Sequence, residues 1–331
     1  MDNSAGDSFT PPWWLRNPHW QTIWHWGVRR RPKVTTHRER LELPDGDFLD
    51  LDWTPGNSGP IVIILHGLEG SIRSKYARGI LRIIAAMGWR GVLMHFRSCS
   101  EESNRLPRAY HAGETVDFNT LVNTLRQREP HTPLAAIGYS LGGNVLLKWL
   151  GEQGEQAALW AAVAVSVPFD LEDGIARLNR GFSRAYQYRL LRNLIKSTYA
   201  KSKSVPCPLD LSTLHQARNL RDYDNLVTAP LHGFTSADDY YRQSSSRQFL
   251  QHICIPTLII HAADDPFMTP QSIPGAHELS DSITFELSQQ GGHIGFVTGK
   301  YPWQAHYWLE SRIPAYLTMQ LKNSACEPIL S

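Results

Sequence analysis

One pentapeptide, GYSLG at 138–142, limits the possible folds of this chain more than any other feature. It matches the pattern G-x-S-x-G, which alone is a weak signal because three fixed positions in five arise by chance. The context strengthens it, since a short strand-like stretch at 134–138 precedes the serine and a helix-like stretch at 144–150 follows. A serine between a strand and a helix is typical of a nucleophile elbow, whose strained turn holds the hydroxyl clear of the sheet. The pattern therefore predicts an α/β fold with Ser140 as the nucleophile.

The rest of the chain alternates between strand-like and helix-like stretches. Residues 38–43 and 48–53 flank an Asp-Gly turn, which predicts an antiparallel pair. Further strands are predicted, the first of them a continuous apolar run, at 61–65, 91–96, 134–138, 161–167, 257–261 and 282–287. Helices are predicted at about 76–86, 114–128 and 144–150, and a last one at 302–322 with an interruption near Pro314. This order predicts a mostly parallel central sheet with helices on both faces.

Two segments depart from the alternation. Residues 170–251 are too long for a plain connection between strands, and their apolar residues recur at helical spacing with basic residues between them. We interpret them as a helical cap insertion whose basic outer face is either solvated or in contact with an anionic membrane or an acidic substrate group. Residues 9–31 form a Trp-rich arm, which either packs its rings onto the domain or contacts a membrane. Together they belong to one predicted domain, 1–331.

Composition and motif searches argue against several classes of function. A formal net charge of +2 does not favour nucleic acid as a partner. The four cysteines form no CxxC pair, and neither an HExxH motif nor a phosphate loop nor a dinucleotide fingerprint is present, so we expect no metal and no cofactor. The N-terminus lacks the apolar stretch of a secretory signal, and no run of about 18 apolar residues occurs. We therefore expect a cytoplasmic protein, either soluble or peripherally bound to a membrane.

A serine hydroxyl needs a base to remove its proton, and the expected chain order is serine, then a carboxylic acid, then histidine. His293 follows the last predicted strand within GGHIGF at 291–296, so we expect it to be the base. The acid should follow the preceding strand, where Asp264 and Asp265 are adjacent. We favour Asp265, because hydrolases of this kind often place the acid directly before a proline. Asp264 is then expected to cap the turn or to bind backbone.

The tetrahedral intermediate needs two backbone donors for its oxyanion. We expect these to be the N–H of Leu141, at the start of the helix after Ser140, and the N–H of Leu68, within HGLEGS at 66–71. His66 opens the same loop, and we expect it to brace the loop rather than to act as a base.

Taken together, these motifs resemble those of the YheT-like hydrolases of the α/β-hydrolase superfamily. The resemblance extends from about residue 9 to about 310 and rests on NPHWQTIW at 17–24, HGLEGS at 66–71, HFRSCS at 95–100, RAYHAGET at 108–115, GYSLGGN at 138–144, ADDPF at 263–267 and GGHIGF at 291–296. Members usually have glycine where this chain has Ser98. The resemblance implies hydrolysis of carboxylic esters without a cofactor. Related eukaryotic members act on lipids, which makes an acyl ester or a lipid the expected substrate.

The expected reaction is that of a serine esterase, in which Ser140 attacks the acyl carbonyl while His293 takes its proton and returns it to the leaving alcohol. Two alternatives remain open. An acyltransferase would use the same triad, with another alcohol in place of water. A non-catalytic binding module would retain the fold without the reaction. Dehalogenation is disfavoured because the elbow residue is serine rather than aspartate.

Overall fold

The centre of the protein is a sheet whose strands carry apolar side chains on both faces. The computed structural model describes residues 8–326, without the side chains of Trp26 and residues 324–326, so the ends of the predicted domain, 1–7 and 327–331, lie outside the described residues. The strands of this sheet are β1 (His37–Glu42), β2 (Phe48–Trp53), β3 (Ile61–Leu65), β4 (Arg90–Met94), β5 (Leu134–Tyr139), β6 (Ala161–Val165), β7 (Thr257–Ala262) and β8 (Ile283–Ser288).

The strands lie in the order β1-β2-β4-β3-β5-β6-β7-β8. β1 pairs antiparallel with β2, and β2 pairs antiparallel with β4, whereas β3 to β8 all run parallel to one another. The predicted mostly parallel sheet is therefore confirmed, with the antiparallel pair at one edge. Because the strands from β3 onward are parallel, their carboxyl ends meet at one edge of the sheet, where loops can bring distant residues together.

Helices pack on both faces of this sheet. The α-helices among the described residues, including those of the insertion, are α1 (Pro18–Ile23), α2 (Lys75–Ala86), α3 (Val116–Arg128), α4 (Leu141–Gln153), α5 (Leu171–Leu178), α6 (Ser183–Ser202), α7 (Leu220–Tyr223), α8 (Ala229–His232), α9 (Ala237–Ser244) and α10 (Leu309–Cys326). No helix between residues 8 and 326 is both long enough and apolar enough to cross a membrane.

The structure corrects two predicted helix boundaries. α4 begins at Leu141, three residues earlier than predicted. Gly142 therefore lies inside the helix, where it allows close packing against β3: a Cβ there would lie 2.5 Å from the Leu65 carbonyl oxygen. The last helix begins at Leu309 rather than 302, since His306–Tyr307 (β10) pairs with Val297–Thr298 (β9) before it. The predicted interruption near Pro314 is wrong. Proline removes one backbone donor in the second turn, and the helix continues through it.

The helices α5 to α9 all lie between β6 and β7, within the segment 170–251. They have an apolar cluster of their own, separate from the two clusters on the faces of the sheet, which includes Leu178, Tyr186, Leu191, Leu214, Leu220, Tyr223 and Val227. Beside this cluster lies the carboxylate of Asp224, which accepts hydrogen bonds from the Thr228 hydroxyl at 2.6 Å and the Tyr241 hydroxyl at 2.7 Å. Burial raises the pKa of this carboxyl to about 6.

The raised pKa predicts how stability depends on pH. The folded state binds the Asp224 proton more tightly than the unfolded chain, whose pKa lies near 3.8. The contribution of Asp224 to the free energy of unfolding is therefore fully present below about pH 4 and is lost as the pH rises through 6. Asp224→Asn cannot titrate, so between about pH 4.5 and pH 7.5 its unfolding free energy should fall less than that of the wild type. Urea unfolding at both pH values measures this difference, and equal changes in the two proteins would contradict it.

Candidate active site

Ser140 occupies the turn between β5 and α4 with a backbone conformation that is unusual for a residue with a side chain. Its φ is 52° and its ψ −120°, outside the regions that such residues normally adopt. The turn is tight because glycines flank it: a Cβ at Gly138 would lie 2.5 Å from the Gly142 carbonyl oxygen. Ser140 N–H donates to the Val165 carbonyl at 2.9 Å, which anchors the strained residue to the neighbouring strand. This is the geometry of a nucleophile elbow.

The structure brings Ser140, His293 and Asp265 together although they are far apart in the chain. The Ser140 Oγ lies 2.9 Å from His293 Nε2, and His293 Nδ1 lies 2.8 Å from Asp265 Oδ2. Asp265 and His293 are buried, whereas Ser140 is partly accessible. The imidazole thus lies between a hydroxyl that can lose a proton and a carboxylate that can hold the opposite nitrogen protonated.

The two adjacent aspartates have different partners. Asp265 Oδ2 contacts His293, and its Oδ1 accepts the Phe267 N–H at 2.9 Å. Asp264 instead accepts the Gly292 N–H at 2.9 Å and so binds the loop that carries the histidine. Burial raises the pKa of Asp264 to about 6. In the structure, Asp265 thus faces the imidazole and Asp264 binds backbone.

The ring of Phe267 stacks on the His293 imidazole, with centroids 4.0 Å apart and planes within 1° of parallel. Phe267 also contacts Tyr186 of α6, whose ring centroid is 5.0 Å away. The stack restricts rotation of the imidazole, so it complements the two hydrogen bonds. This role of Phe267 was not predicted from the sequence, in which the residue is marked only by its position directly after the Asp-Pro pair.

The N-terminal arm supports the histidine loop, which sequence analysis also missed. The Thr22 hydroxyl accepts the His293 N–H at 2.9 Å and donates to the Pro18 carbonyl at 2.8 Å. The buried amide of Gln21 pairs with both the N–H and the carbonyl of Val297, at 2.8 and 3.0 Å. Gly292 has a φ of +61°, and a Cβ there would lie 2.5 Å from the Pro18 carbonyl. The loop can follow this path only because glycine is present.

The tryptophans of the arm divide into packed and exposed rings. Trp14 donates its indole N–H to the Gly299 carbonyl at 3.0 Å and packs against Trp24, with centroids 4.9 Å apart. Trp13 and Trp20 expose 68% and 59% of their surface. The Trp26 side chain lies outside the described residues. Packing therefore accounts for part of the arm and leaves two indoles on the surface.

The loop that carries Leu68 lies beside the elbow. A Cβ on Gly67 would be 3.3 Å from the Ser140 Cβ, and the Gly67 N–H donates to the Tyr76 hydroxyl at 2.8 Å. His66 braces the loop: its Nδ1 donates to the Gly67 carbonyl at 2.7 Å, while Nε2 accepts the Phe96 N–H at 3.2 Å. Burial lowers the pKa of His66 to about 3, so the ring is neutral. Both of its nitrogens form hydrogen bonds with backbone, which leaves neither available to act as a base.

Glu69 connects this loop to the helical insertion. One carboxylate oxygen accepts the Tyr110 hydroxyl at 3.0 Å, and the other accepts the Ser197 hydroxyl of α6 at 2.6 Å. Glu69 itself has a φ of 54°, so the loop is strained at the residue after Leu68. A movement of α6 would therefore be transmitted to the loop beside the serine.

A cavity of about 370 Å³ opens onto Ser140 and His293. Residues of the loop at 66–71 and of α4 line one side. Apolar side chains of α5 and α6 also line the cavity, among them Leu171, Ile175, Leu178, Leu190 and Leu194. A mostly apolar cavity with a few convergent polar groups is typical of a site for small organic ligands.

One cluster, two of whose three residues line the cavity, has the residue types of a metal site. His111, Glu114 and His232 place potential ligand atoms within 4.8 Å of one another. The guanidinium of Arg108, however, donates to the Glu114 carboxylate at 2.5 Å. The negative charge of Glu114 is therefore already balanced by an arginine. We interpret the cluster as an ion pair with two neighbouring imidazoles, whose pKa values burial lowers to about 3.

Ser98, where glycine is usual in the family that the motifs resemble, has a φ of 65°. This is the left-handed region, which glycine adopts without cost. Here the Ser98 N–H donates to the Asn104 side-chain oxygen at 2.5 Å, and the neighbouring Arg97 makes two 2.7 Å hydrogen bonds to Asp117. These buried bonds hold the serine in its strained conformation.

Comparisons with known proteins agree with this architecture. A family model described as the alpha/beta hydrolase fold matches residues 60–300. The chain is 44% identical over 330 residues to the protein named "Putative esterase YheT" of Escherichia coli (strain K12), which covers 98% of this chain and 96% of that protein. This chain belongs to the YheT-like hydrolases of the α/β-hydrolase superfamily.

Other relatives of this YheT-like hydrolase carry names of lipid-acting enzymes. Phospholipase ABHD3 of Mus musculus is 28% identical, over 91% of this chain and 76% of that protein. Monoacylglycerol lipase of Saccharomyces cerevisiae (strain ATCC 204508 / S288c) is 31% identical, over 86% of this chain and 68% of that protein. The Pyrococcus furiosus esterase Pf2001 has the same fold, with a TM-score of 0.58 at 16% identity over 95% of this chain and 98% of that one. The relatives support an ester hydrolase of the α/β-hydrolase type.

The contact between Thr22 and the histidine loop leads to a prediction. Thr22→Val keeps the shape of the side chain but leaves the buried His293 N–H without an acceptor, at a cost of about 1–3 kcal/mol. We expect kcat for a small ester to fall about tenfold, because the imidazole moves. KM should change little, since valine keeps the volume of the Thr22 side chain in the cavity wall. Thr22→Ser keeps the hydroxyl and should restore kcat. Equal activity of the valine and serine variants, with both folded, would contradict this role.

Proposed function

We propose that this protein hydrolyses carboxylic esters through an acyl-enzyme intermediate on Ser140, with His293 as the base and Asp265 as the acid that orients it. The observation that carries the proposal is the unbroken pair of hydrogen bonds from Ser140 Oγ to His293 Nε2 and from His293 Nδ1 to Asp265 Oδ2. His293 takes the proton of the serine as the hydroxyl attacks, and returns it to the leaving alcohol. A water molecule that His293 activates then releases the acid.

The oxyanion of the tetrahedral intermediate would bind the backbone N–H groups of Leu68 and Leu141. Leu141 is the first residue of α4, so its N–H is among those that the helix leaves without an internal partner. Within residues 8–326, we find no hydrogen bond from the Leu68 N–H, which would therefore be available to a substrate. Each such donor typically contributes about 10²–10³ in rate.

The helices between β6 and β7 would act as a cap that covers the acyl group of the substrate. Apolar side chains of α5 and α6 line the same cavity as the serine, so an alkyl chain is favoured over a charged or strongly polar acyl group. The lipase and phospholipase relatives support the same substrate class, an acyl ester of lipid type.

The assignment of the acid can be tested with matched variants. Asp265→Asn removes the carboxylate that fixes the imidazole tautomer, so kcat should fall by about 10⁴. Asp264→Asn keeps an oxygen that accepts the Gly292 N–H, and its kcat should stay within about fivefold of the wild type. Steady-state turnover of p-nitrophenyl butyrate measures both. If Asp264→Asn lost as much activity as Asp265→Asn, the assignment of Asp265 would be wrong.

The apolar cavity predicts a dependence on acyl length. Burial of each additional methylene stabilises the bound ester by at most about 0.8 kcal/mol, or about fourfold in affinity. The ratio kcat/KM should therefore rise from acetate to octanoate in a series of p-nitrophenyl esters. Leu190→Glu would introduce a charge into the cavity wall and should flatten this rise without abolishing turnover of the acetate. A preference of the wild type for acetate would contradict the proposed role of the cavity.

A further inference from the structure

Three segments that meet beside the catalytic serine contain basic residues and no acidic ones. Residues 8–36 contain five Lys or Arg, residues 174–209 contain eight and residues 297–309 contain one. These segments hold 14 of the 33 basic residues of the chain and none of its 31 acidic residues. The net charge of +2 therefore conceals a strongly uneven distribution of charge along the sequence.

Contacts between the segments make them neighbours in the fold. The Trp13 indole donates to the Lys300 carbonyl at 3.2 Å, which joins the arm to the loop at 299–303. The His19 ring contacts Phe182, with centroids 4.7 Å apart, and its Nδ1 lies 3.2 Å from the Tyr186 hydroxyl, which joins the arm to the start of α6. The arm therefore bridges the loop and the helix.

Large aromatic side chains are exposed on these same segments. Four rings, those of Trp13, Trp20, Phe182 and Trp303, expose between 55% and 79% of their surface. Exposed aromatic side chains are ordinary when scattered, but a group of them usually marks a surface for contact. Trp and Tyr in particular are enriched at the boundary between membrane and water.

The outer face of α6 continues the pattern. Exposed residues recur there every three or four positions, which places them on one stripe of the helix. They are Arg184, Tyr188, Arg192, Lys196, Tyr199 and Lys203. We call this stripe, together with the four exposed rings, the docking face. None of its basic side chains forms an ion pair with a carboxylate of the described residues, so their charge is available to a partner.

We propose that the docking face binds the surface of an anionic phospholipid bilayer. Each basic residue near an anionic membrane raises the affinity about fivefold, and aromatic rings enter the interfacial region between head groups and acyl chains. The inner side of α6 lines the cavity with Leu190 and Leu194, so docking through its outer side would hold the cavity close to the source of lipid esters. The combination of aromatic rings with an apolar cavity favours a membrane over a nucleic acid.

Co-sedimentation of the full chain with lipid vesicles tests this proposal. Ser140→Ala is used, so that binding is measured without turnover and does not depend on the proposed reaction. Vesicles contain phosphatidylcholine alone, or equal parts of phosphatidylcholine and phosphatidylglycerol. We expect sedimentation with the anionic vesicles and at least about tenfold weaker binding to phosphatidylcholine alone. Raising the salt concentration should weaken the binding.

Two double variants with the same change in net charge show whether binding depends on the docking face or only on the net charge of the protein. Arg184→Glu with Arg192→Glu should weaken binding to the anionic vesicles at least about tenfold. Arg128→Glu with Arg242→Glu changes two exposed arginines outside the docking face by the same charge and should weaken it far less. Trp13→Ala with Trp20→Ala should also weaken it. With Ser140 present, both charge variants should hydrolyse a short soluble ester at the wild-type rate, which shows that they are folded.

Three results would overturn the proposal. These are no sedimentation with anionic vesicles, equal loss of binding in the two charge variants, and tighter binding to a duplex oligonucleotide than to the vesicles. Absence of ester turnover in every protein would count against the proposed reaction and leave the vesicle result unaffected.

Discussion

The position of one imidazole ring, that of His293, is the constraint on which the rest of the site depends. The ring must meet Ser140 on one side and Asp265 on the other, and its loop reaches that point by an unusual path: Gly292, Ile294 and Phe296 all have a positive φ. Such a path is costly and persists only where neighbours hold it. Here the Thr22 hydroxyl binds the His293 N–H, the Ser166 hydroxyl binds the Ile294 N–H, and Phe267 stacks on the ring.

The sequence allowed the sheet and the three central side chains to be predicted, since each follows from a local pattern. Buried parallel strands are continuous apolar runs, and a glycine-flanked serine between a strand and a helix is typical of a nucleophile elbow. Position relative to a strand and to Pro266 pointed to Asp265, whose carboxylate lies 2.8 Å from His293 Nδ1 in the structure. The supporting residues could not be found this way. Thr22 falls within the motif NPHWQTIW, but it lies 271 positions from His293, and the motif does not show which distant residue it contacts.

Two predicted helix boundaries were wrong for a related reason, because contacts between distant segments determine where these helices begin. Gly142 lies in a helix although glycine disfavours helices, since the backbone of β3 leaves no room for a side chain. The arm and the insertion show the same dependence. In the sequence, both segments stand outside the alternation of strands and helices. In the structure, Thr22 of the arm binds the histidine loop, and Ser197 of the insertion binds Glu69 beside the expected oxyanion site. Leu190 and Leu194 of α6 line the cavity, whereas the exposed stripe that begins at Arg184 lies on the other side of the helix.

The central claim is that Ser140 is a nucleophile activated by His293, and covalent labelling tests it most directly. A fluorophosphonate probe reacts with an activated serine: its Oγ forms a bond to phosphorus, the P–F bond breaks, fluoride leaves, and the base takes the serine proton. Mass spectrometry of the digested protein locates the adduct. The account predicts one adduct, on Ser140, that is absent in Ser140→Ala and strongly reduced in a folded His293→Ala variant. Labelling of another residue, or equal labelling of Ser140 without His293, would contradict it.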